Sequence, residues 1–322
     1  MVAQVTGRVF LGDDTCRDPI WLNMNITYTD QVVKTAKKIR LWPKFLLPVV
    51  GKFLPASRRL QRTLQECEDF LQPLISQRKT SNEPRPQLNA IDWFEELSKG
   101  QSYNPTISIL KISLVSLDTT SELLFHVIRE LSTNESLVND LRSEILTVFP
   151  GREIDLDEGF NQQDLKKLKL LDSAIKESQR RSHRMITLRR FATEDVTLDD
   201  GTRIPKGTQV AVAATHVRDT SVYEDGDTFN GYRFLNAGAP LVVPTPNHMG
   251  FGYGKQACPG RFFVSVEMKI LLCKMLLNYD FSMDGLDEPK TVISGYNIVP
   301  NPQAKIAIRH RAKATCVTYQ EN

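Results

Sequence analysis

Cys258 has the sequence surroundings that most strongly indicate chemistry. It lies in Phe251-Gly-Tyr-Gly-Lys-Gln-Ala-Cys-Pro-Gly260, immediately before a predicted helix. The unpaired N–H groups and the positive end of the dipole at a helix N-terminus favour a thiolate over a thiol. Gly252 and Gly254 allow the backbone to turn tightly beneath a flat ligand, and Phe251 would keep water from the sulfur. These residues favour an axial thiolate ligand of haem iron over a buried, inert cysteine.

Two further pairs of residues could take part in chemistry. Glu177-Ser-Gln-Arg180 places a carboxylate and a guanidinium on one face of a helix; alone and exposed, such a pair is worth less than about 1 kcal/mol. Val115-Ser-Leu-Asp-Thr-Thr120 places an acid, Asp118, beside an alcohol, Thr119, in an apolar helix. Together they could pass protons to a reacting group, although such residues often bond back to their own helix.

Taken together, these motifs resemble those of the cytochrome P450 superfamily. Phe251-x-x-Gly254-x-x-x-Cys258-x-Gly260 is similar to its haem-binding motif, and Glu177-x-x-Arg180 is similar to its E-x-x-R motif. The resemblance implies haem b as the cofactor, with Cys258 as the ligand of the iron. The other residues that it places at the cofactor are Phe251, Gly252, Gly254, Gly260 and His248.

The resemblance also assigns roles to the remaining motif residues. Arg233, in Phe229-Asn-Gly-Tyr-Arg-Phe234, is expected to join Glu177 and Arg180 in a buried structural cluster that holds the cysteine loop. Asp118 and Thr119 are expected to be catalytic, because they would supply protons for oxygen activation.

The sequence departs from the family pattern at two places and in extent. Val115-Ser116 replaces a small Ala-Gly pair, so the groove for oxygen is expected to have a different shape. Gln256 stands where many relatives have an arginine, so the contact with a haem propionate would be a neutral hydrogen bond. Order and spacing place Met1 near the start of the fifth helix of the family, so roughly a third of the usual chain is expected to be absent. Two explanations stay open: a truncated gene product or mispredicted start, and a shortened protein with reduced or altered activity.

The resemblance implies a monooxygenase that oxidises an apolar small molecule with dioxygen. Electrons from NADPH would arrive through NADPH-cytochrome P450 reductase, docked at a basic face near Lys255, Arg261 and Lys269. Asn247–Lys255 and Ala257–Phe263 are similar to filamentous-fungal enzymes of secondary metabolism, which favours a terpenoid or meroterpenoid substrate. Two alternatives stay open: a non-catalytic remnant with impaired haem binding, and a haem-thiolate enzyme that needs no reductase.

The composition excludes several classes of protein. Among 322 residues the net charge is only +3, which gives no reason to expect binding of nucleic acid. Five scattered cysteines form no C-x-x-C pair, which argues against a disulfide framework or a zinc site. No apolar run reaches the roughly 18 residues of a membrane span. The resembled family is anchored to the endoplasmic reticulum, whereas this sequence predicts no anchor and leaves its own compartment undetermined.

The pattern of apolar residues predicts a mainly α fold with small β-sheets, in a single domain over residues 1–322. This would correspond to the C-terminal two-thirds of a cytochrome P450 fold. Period-two residues over 196–212 predict a small antiparallel sheet. Leu41–Pro55, interrupted by prolines and lysines, is either a partly buried connection or a peripheral contact with a membrane. Helices are predicted over 26–40, 57–78, 106–132, 135–149, 163–181 and 260–278.

The apolar periodicity predicts a buried face on the helix over 260–278. The residues expected on one side of it are Phe262, Val266, Ile270, Cys273 and Leu277.

Overall fold

The computed structural model describes residues 1–80, 88–150, 160–182, 186–236, 238–283, 292–294, 297–299 and 305–311. The chain forms two compact units, Met1–Ser121 and Glu122–Asn322. The prediction of a single domain over residues 1–322 stays a prediction. The predicted class, mainly α with small β-sheets, is confirmed.

Eleven α-helices occur in the described part of the chain. They are α1 (Val2–Leu11), α2 (Asp13–Cys16), α3 (Pro19–Ile39), α4 (Leu47–Phe53), α5 (Pro55–Thr80), α6 (Ala90–Ser98), α7 (Pro105–Leu131), α8 (Glu135–Val148), α9 (Gln162–Leu165), α10 (Lys169–Arg181) and α11 (Arg261–Asn278). Five of the six predicted helices appear with bounds close to those expected, although α3 begins earlier.

The strands pair as four separate two-stranded antiparallel sheets. The pairs are β1 (Ile186–Phe191) with β4 (Gln209–Ala213), β2 (Val196–Thr197) with β3 (Arg203–Ile204), β5 (Tyr279–Ser282) with β8 (Ala307–His310), and β6 (Val292–Ser294) with β7 (Asn297–Val299). The predicted sheet over 196–212 therefore splits, because β4 pairs with β1 and only β2 and β3 pair with each other.

The first unit packs α3 and α5 against each other around Trp21. Trp21 is 1% exposed and stacks on Phe70, with 5.9 Å between the ring centroids. Cys67 and Leu71, which lie four residues apart on one apolar stripe of α5, are fully buried in the same core. The stripe with helical spacing therefore provides the contact between these helices.

The second unit has its core among α8, α10 and α11, and it corrects one predicted helix. Residues 163–181 form α9 and α10 instead of one helix, with a break at Leu168. Glu144 on α8 explains where α10 begins, because its carboxylate accepts the N–H groups of Leu170 at 2.7 Å and Leu171 at 3.0 Å. A side chain distant in sequence thus caps the free N–H groups of this helix start.

The segment Leu41–Pro55 forms a short 3-10 turn followed by α4. Its large apolar side chains face solvent, with exposures of 83% for Leu41, 79% for Phe45 and 65% for Phe53. Of the two interpretations left open by the sequence, this exposure disfavours the partly buried connection. Among helices of the described residues, none has the length and hydropathy needed to cross a membrane.

Candidate functional site

The loop around Cys258 is closed by its own backbone. The N–H of Cys258 donates to the carbonyl of Phe251 at 2.7 Å. Between them, Gly252 and Gly254 have φ values of 75° and 71°, which L side chains rarely adopt. Gly260 is the N-cap of α11, so Cys258 stands just before a helix N-terminus, as predicted.

The residues of this loop fit a haem. Cys258 is a free cysteine and is half-buried, so its sulfur is available to an iron. A Cβ built at Gly254 would meet no atom within 4 Å, which leaves open space beside the loop for a flat ligand. The sulfur would hold the iron, and Phe251, Gly252, Gly254 and Gly260 would surround it. These cofactor roles stay predictions.

The predicted glutamate–arginine cluster forms and is buried. Glu177 and Arg180 are both 0% exposed. The Nε–H of Arg180 donates to Oε2 of Glu177 at 2.7 Å, and its Nη2–H donates to Oε1 at 2.8 Å. Arg233 donates Nε to the same carboxylate at 3.1 Å. Two arginines and one glutamate are therefore brought together from α10 and from an irregular segment 56 residues further along the chain.

The arginines of the cluster also bind backbone carbonyls. Arg180 donates to the carbonyl of Val217, and Arg233 donates to those of Asp225 at 3.3 Å and Thr228 at 3.2 Å. The cluster thus ties α10 to an irregular segment that precedes the cysteine loop. That it holds the cysteine loop itself stays a prediction.

Three further side chains of α10 also form hydrogen bonds with backbone groups of that irregular segment, and the sequence did not predict these bonds. Asp172 accepts the N–H of Leu241 at 2.7 Å. Ser173 donates to the carbonyl of Gly231 at 2.6 Å, and Lys176 donates to that of Ala239 at 2.7 Å. Burial lowers the pKa of Lys176, while the nearby Asp172 opposes this shift. The recurrence of these polar residues on the same helix as Glu177 and Arg180 was the available signal.

His248 lies in the interior near α10. It is 2% exposed, its Nε2 is 3.2 Å from the carbonyl oxygen of Lys176, and its ring packs edge-on against Phe234. One ring nitrogen is therefore engaged by the protein. The predicted contact of His248 with the cofactor stays a prediction.

Asp118 and Thr119 lie on α7, and both are exposed. Thr119 donates its hydroxyl to the carbonyl of Val115 at 2.8 Å, the back-bonding that is common for threonine in helices. Val115 itself is 65% exposed. The catalytic role of Asp118 and Thr119 stays a prediction.

The expected basic docking face is only partly present. Lys255 is exposed, whereas Lys269 is buried and forms an ion pair with Asp172 at 2.6 Å. Arg261 is half-buried and donates to two backbone carbonyls. The expectation that these three cations form one surface was therefore wrong, because two of them are used inside the unit.

Similarity to known proteins assigns the chain to one family. A family model described as "Cytochrome P450" matches residues 1–308. The chain therefore belongs to the cytochrome P450 family, whose members use haem b.

Individual relatives are fungal. The chain is 40% identical to cytochrome P450 monooxygenase adrA of Penicillium rubens, over 97% of this chain and 63% of that protein. It is 36% identical to cytochrome P450 monooxygenase ptmU of Penicillium ochrochloron, again over 97% of this chain and 63% of the relative. The chain thus spans less than two thirds of the length of these relatives.

Proposed function

We propose that the chain binds haem b through Cys258 and acts as a monooxygenase on an apolar small molecule. The observation that carries this proposal is the closed loop Phe251–Cys258, with an available sulfur at a helix start, in a chain of the cytochrome P450 family. When bound, haem supplies the iron at which dioxygen is activated.

The residues of the chain hold the sulfur and supply protons. Cys258 stands just before the N-cap of α11, Gly260, and the free N–H groups of a helix start are a favourable place for an anionic ligand. Asp118 would relay protons through its carboxylate, and Thr119 through its hydroxyl. For Thr119 to donate outwards, its hydroxyl must leave the carbonyl of Val115, a loss of about one ordinary hydrogen bond.

The test of this proposal is the spectrum of the reduced carbon-monoxide complex. The full chain should show the red-shifted Soret band of a thiolate-ligated haem, and Cys258→Ser should abolish it. Cys16→Ser is the matched control, because the sulfur of Cys16 donates to the carbonyl of Asp13 at 3.2 Å and a serine hydroxyl can keep that bond. An unchanged band in Cys258→Ser would refute the proposal. A chain that takes up no haem would support the alternative of a non-catalytic remnant.

Electrons for this reaction would come from NADPH-cytochrome P450 reductase. Lys255 beside the cysteine loop is the exposed cation that supports docking of an acidic partner there. The proposed substrate is a terpenoid or meroterpenoid of fungal secondary metabolism, supported by fungal monooxygenases among the relatives. Product formation with the reductase, but not with hydrogen peroxide alone, would exclude the reductase-independent alternative.

We also propose that residues 41–55 contact a membrane surface. Leu41, Phe45 and Phe53 are exposed apolar side chains, and α4 is too short to span a bilayer. Between residues 31 and 65 the sequence contains no aspartate or glutamate but nine lysines and arginines. Each such cation near an anionic surface contributes about 1 kcal/mol, which together with the apolar side chains favours a bilayer with anionic lipid.

Vesicle binding distinguishes this contact from a merely exposed loop. The full chain should co-sediment with vesicles of phosphatidylcholine and phosphatidylserine more than with phosphatidylcholine alone. Phe45→Ser with Phe53→Ser should weaken binding to both, whereas Leu97→Ser, which alters a side chain that is 72% exposed on α6, should not. Equal loss in all variants, or no binding to either vesicle, would contradict the proposed contact.

A further inference from the structure

Arg261, the first residue of α11, bonds two carbonyl groups on either side of the cysteine loop. Its Nε donates to the carbonyl oxygen of Val242 at 3.0 Å, and its Nη1 donates to that of Cys258 at 2.8 Å. One guanidinium therefore joins the two ends of the segment 242–258. A planar group with several donors can hold both carbonyls at once, whereas the compact ammonium of lysine presents a point charge.

The end of the segment near Val242 is held by the core of the second unit. The neighbouring Leu241 is fully buried and donates its N–H to the carboxylate of Asp172. Asp172, on α10, also pairs with Lys269, on α11. Lys269 lies about two turns beyond Arg261 and so on the same face of α11. The backbone beside Val242 is thus fixed by both helices.

The end near Cys258 has weaker support. The N–H of Cys258 donates to Phe251, and Ala257 donates to Gly254, so these bonds close the loop upon itself. The bonds to the loop from outside it are long: Arg190 of β1 donates to the carbonyl of Tyr253 at 3.4 Å, and the N–H of Arg261 to that of Cys258 at 3.5 Å. Residues 253–256 are exposed. The two side-chain bonds of Arg261, at 2.8 and 3.0 Å, connect this loop to the fixed backbone at Val242.

We propose that Arg261 is a positioning residue that sets where the sulfur of Cys258 stands relative to the core. Its bond to the Cys258 carbonyl fixes the backbone that carries the sulfur. The inference rests on the proposed function only in taking Cys258 as the ligand. Sequence reasoning had placed Arg261 on a docking surface instead.

Amide hydrogen exchange of the haem-free full chain tests the positioning directly. Arg261→Gln should speed exchange of the Ala257 and Cys258 amides by about tenfold or more, since a charge-assisted hydrogen bond is lost. Arg261→Lys should recover part of the protection. Lys274→Gln, which removes a charge further along the same helix, should leave these two amides unchanged.

Three outcomes of this experiment would overturn the proposal. They are unchanged exchange in Arg261→Gln, equal acceleration throughout α10 and α11, and equal acceleration by Lys274→Gln. If Arg261→Gln fails to fold, Asp172→Asn provides a second variant, because it weakens the support at Leu241 while keeping Arg261. It should also speed exchange at Cys258, and protection there that is unchanged would count against the proposal.

The haem-loaded chain provides a readout that general destabilisation would not move. In Arg261→Gln, part of the reduced carbon-monoxide complex should shift from the thiolate Soret band to the shorter-wavelength band of lost thiolate ligation, with lysine restoring part of the original. An unchanged ratio of the two bands would refute the positioning role. If no variant, including the unmodified chain, binds haem, the proposed function fails, while amide exchange still decides the role of Arg261.

Discussion

Arg180→Ala should lower the free energy of unfolding of the unit Glu122–Asn322 by roughly 3 kcal/mol. Arg180 and Glu177 are both fully buried, and removing one partner of a buried ion pair typically costs about 3–5 kcal/mol because the other charge stays behind. The lower end applies here, since Glu177 keeps Arg233 at 3.1 Å and the N–H of Asn230 at 3.2 Å.

Two other variants provide reference values for this loss in the free energy of unfolding. Arg233→Ala should cost less, about 1–3 kcal/mol, because its side chain is 12% exposed and its bond to Glu177 is single. Lys34→Ala breaks the exposed pair with Asp30 on α3, where the side chains are 68% and 52% exposed. That change should cost about 0.5 kcal/mol or less.

Urea unfolding with amide exchange at α10 measures the loss in the second unit. The three tryptophans, Trp21, Trp42 and Trp93, all lie in Met1–Ser121, so their fluorescence follows the first unit separately. If Arg180→Ala lowers the free energy of unfolding by less than about 1 kcal/mol, the pair contributes no more than an exposed ion pair does. That result would refute the argument that burial makes this pair costly to break. The same conclusion would follow if Arg233→Ala cost more than Arg180→Ala.

Three further outcomes are expected. Asp118→Asn and Thr119→Val should each lower substrate oxidation while leaving the carbon-monoxide spectrum intact; loss of that spectrum would point to a structural role. Burial, with a smaller effect of a neighbouring arginine, lowers the pKa of His126 to about 4. The free energy of unfolding should therefore fall by roughly 3 kcal/mol as the pH drops from about 6.5 to 4, because the buried ring must take up a proton. His126→Phe should remove this pH dependence in urea titrations. Gly250→Ala should cost about 1–3 kcal/mol, because a Cβ there would lie 2.1 Å from Oε1 of buried Gln179; an unchanged urea midpoint would contradict this.

The sequence predicted contacts between residues that lie close together along one helix. Glu177 and Arg180, three residues apart on one helix, meet as expected, and the long helices appear because apolar residues recur at helical spacing. Leu141 and Ile145, four residues apart on α8, are both fully buried. Local periodicity was sufficient wherever one face of a helix is clearly apolar.

Periodicity failed where a helix is apolar around most of its circumference. On α11 the predicted stripe included Phe262, which is 55% exposed, whereas Met268 and Leu272, outside that stripe, are buried. Because several faces of α11 carry apolar residues, spacing alone cannot select the one that packs against α8 and α10. The start of α10 was missed for a related reason, since its capping carboxylate belongs to Glu144 on another helix.

The polar face of α10 explains how the irregular segment before Cys258 is held in place. Residues 217–257 contain no long strand that could hold them by a backbone ladder among the described residues. Their buried backbone groups still require partners, and side chains of Asp172, Ser173, Lys176 and Arg180 provide several of them. Each of these bonds costs more to break than an exposed one, because the freed group stays away from water. The position of the cysteine loop should therefore depend on buried polar residues of α10 and on Arg261 more than on the apolar core beneath them.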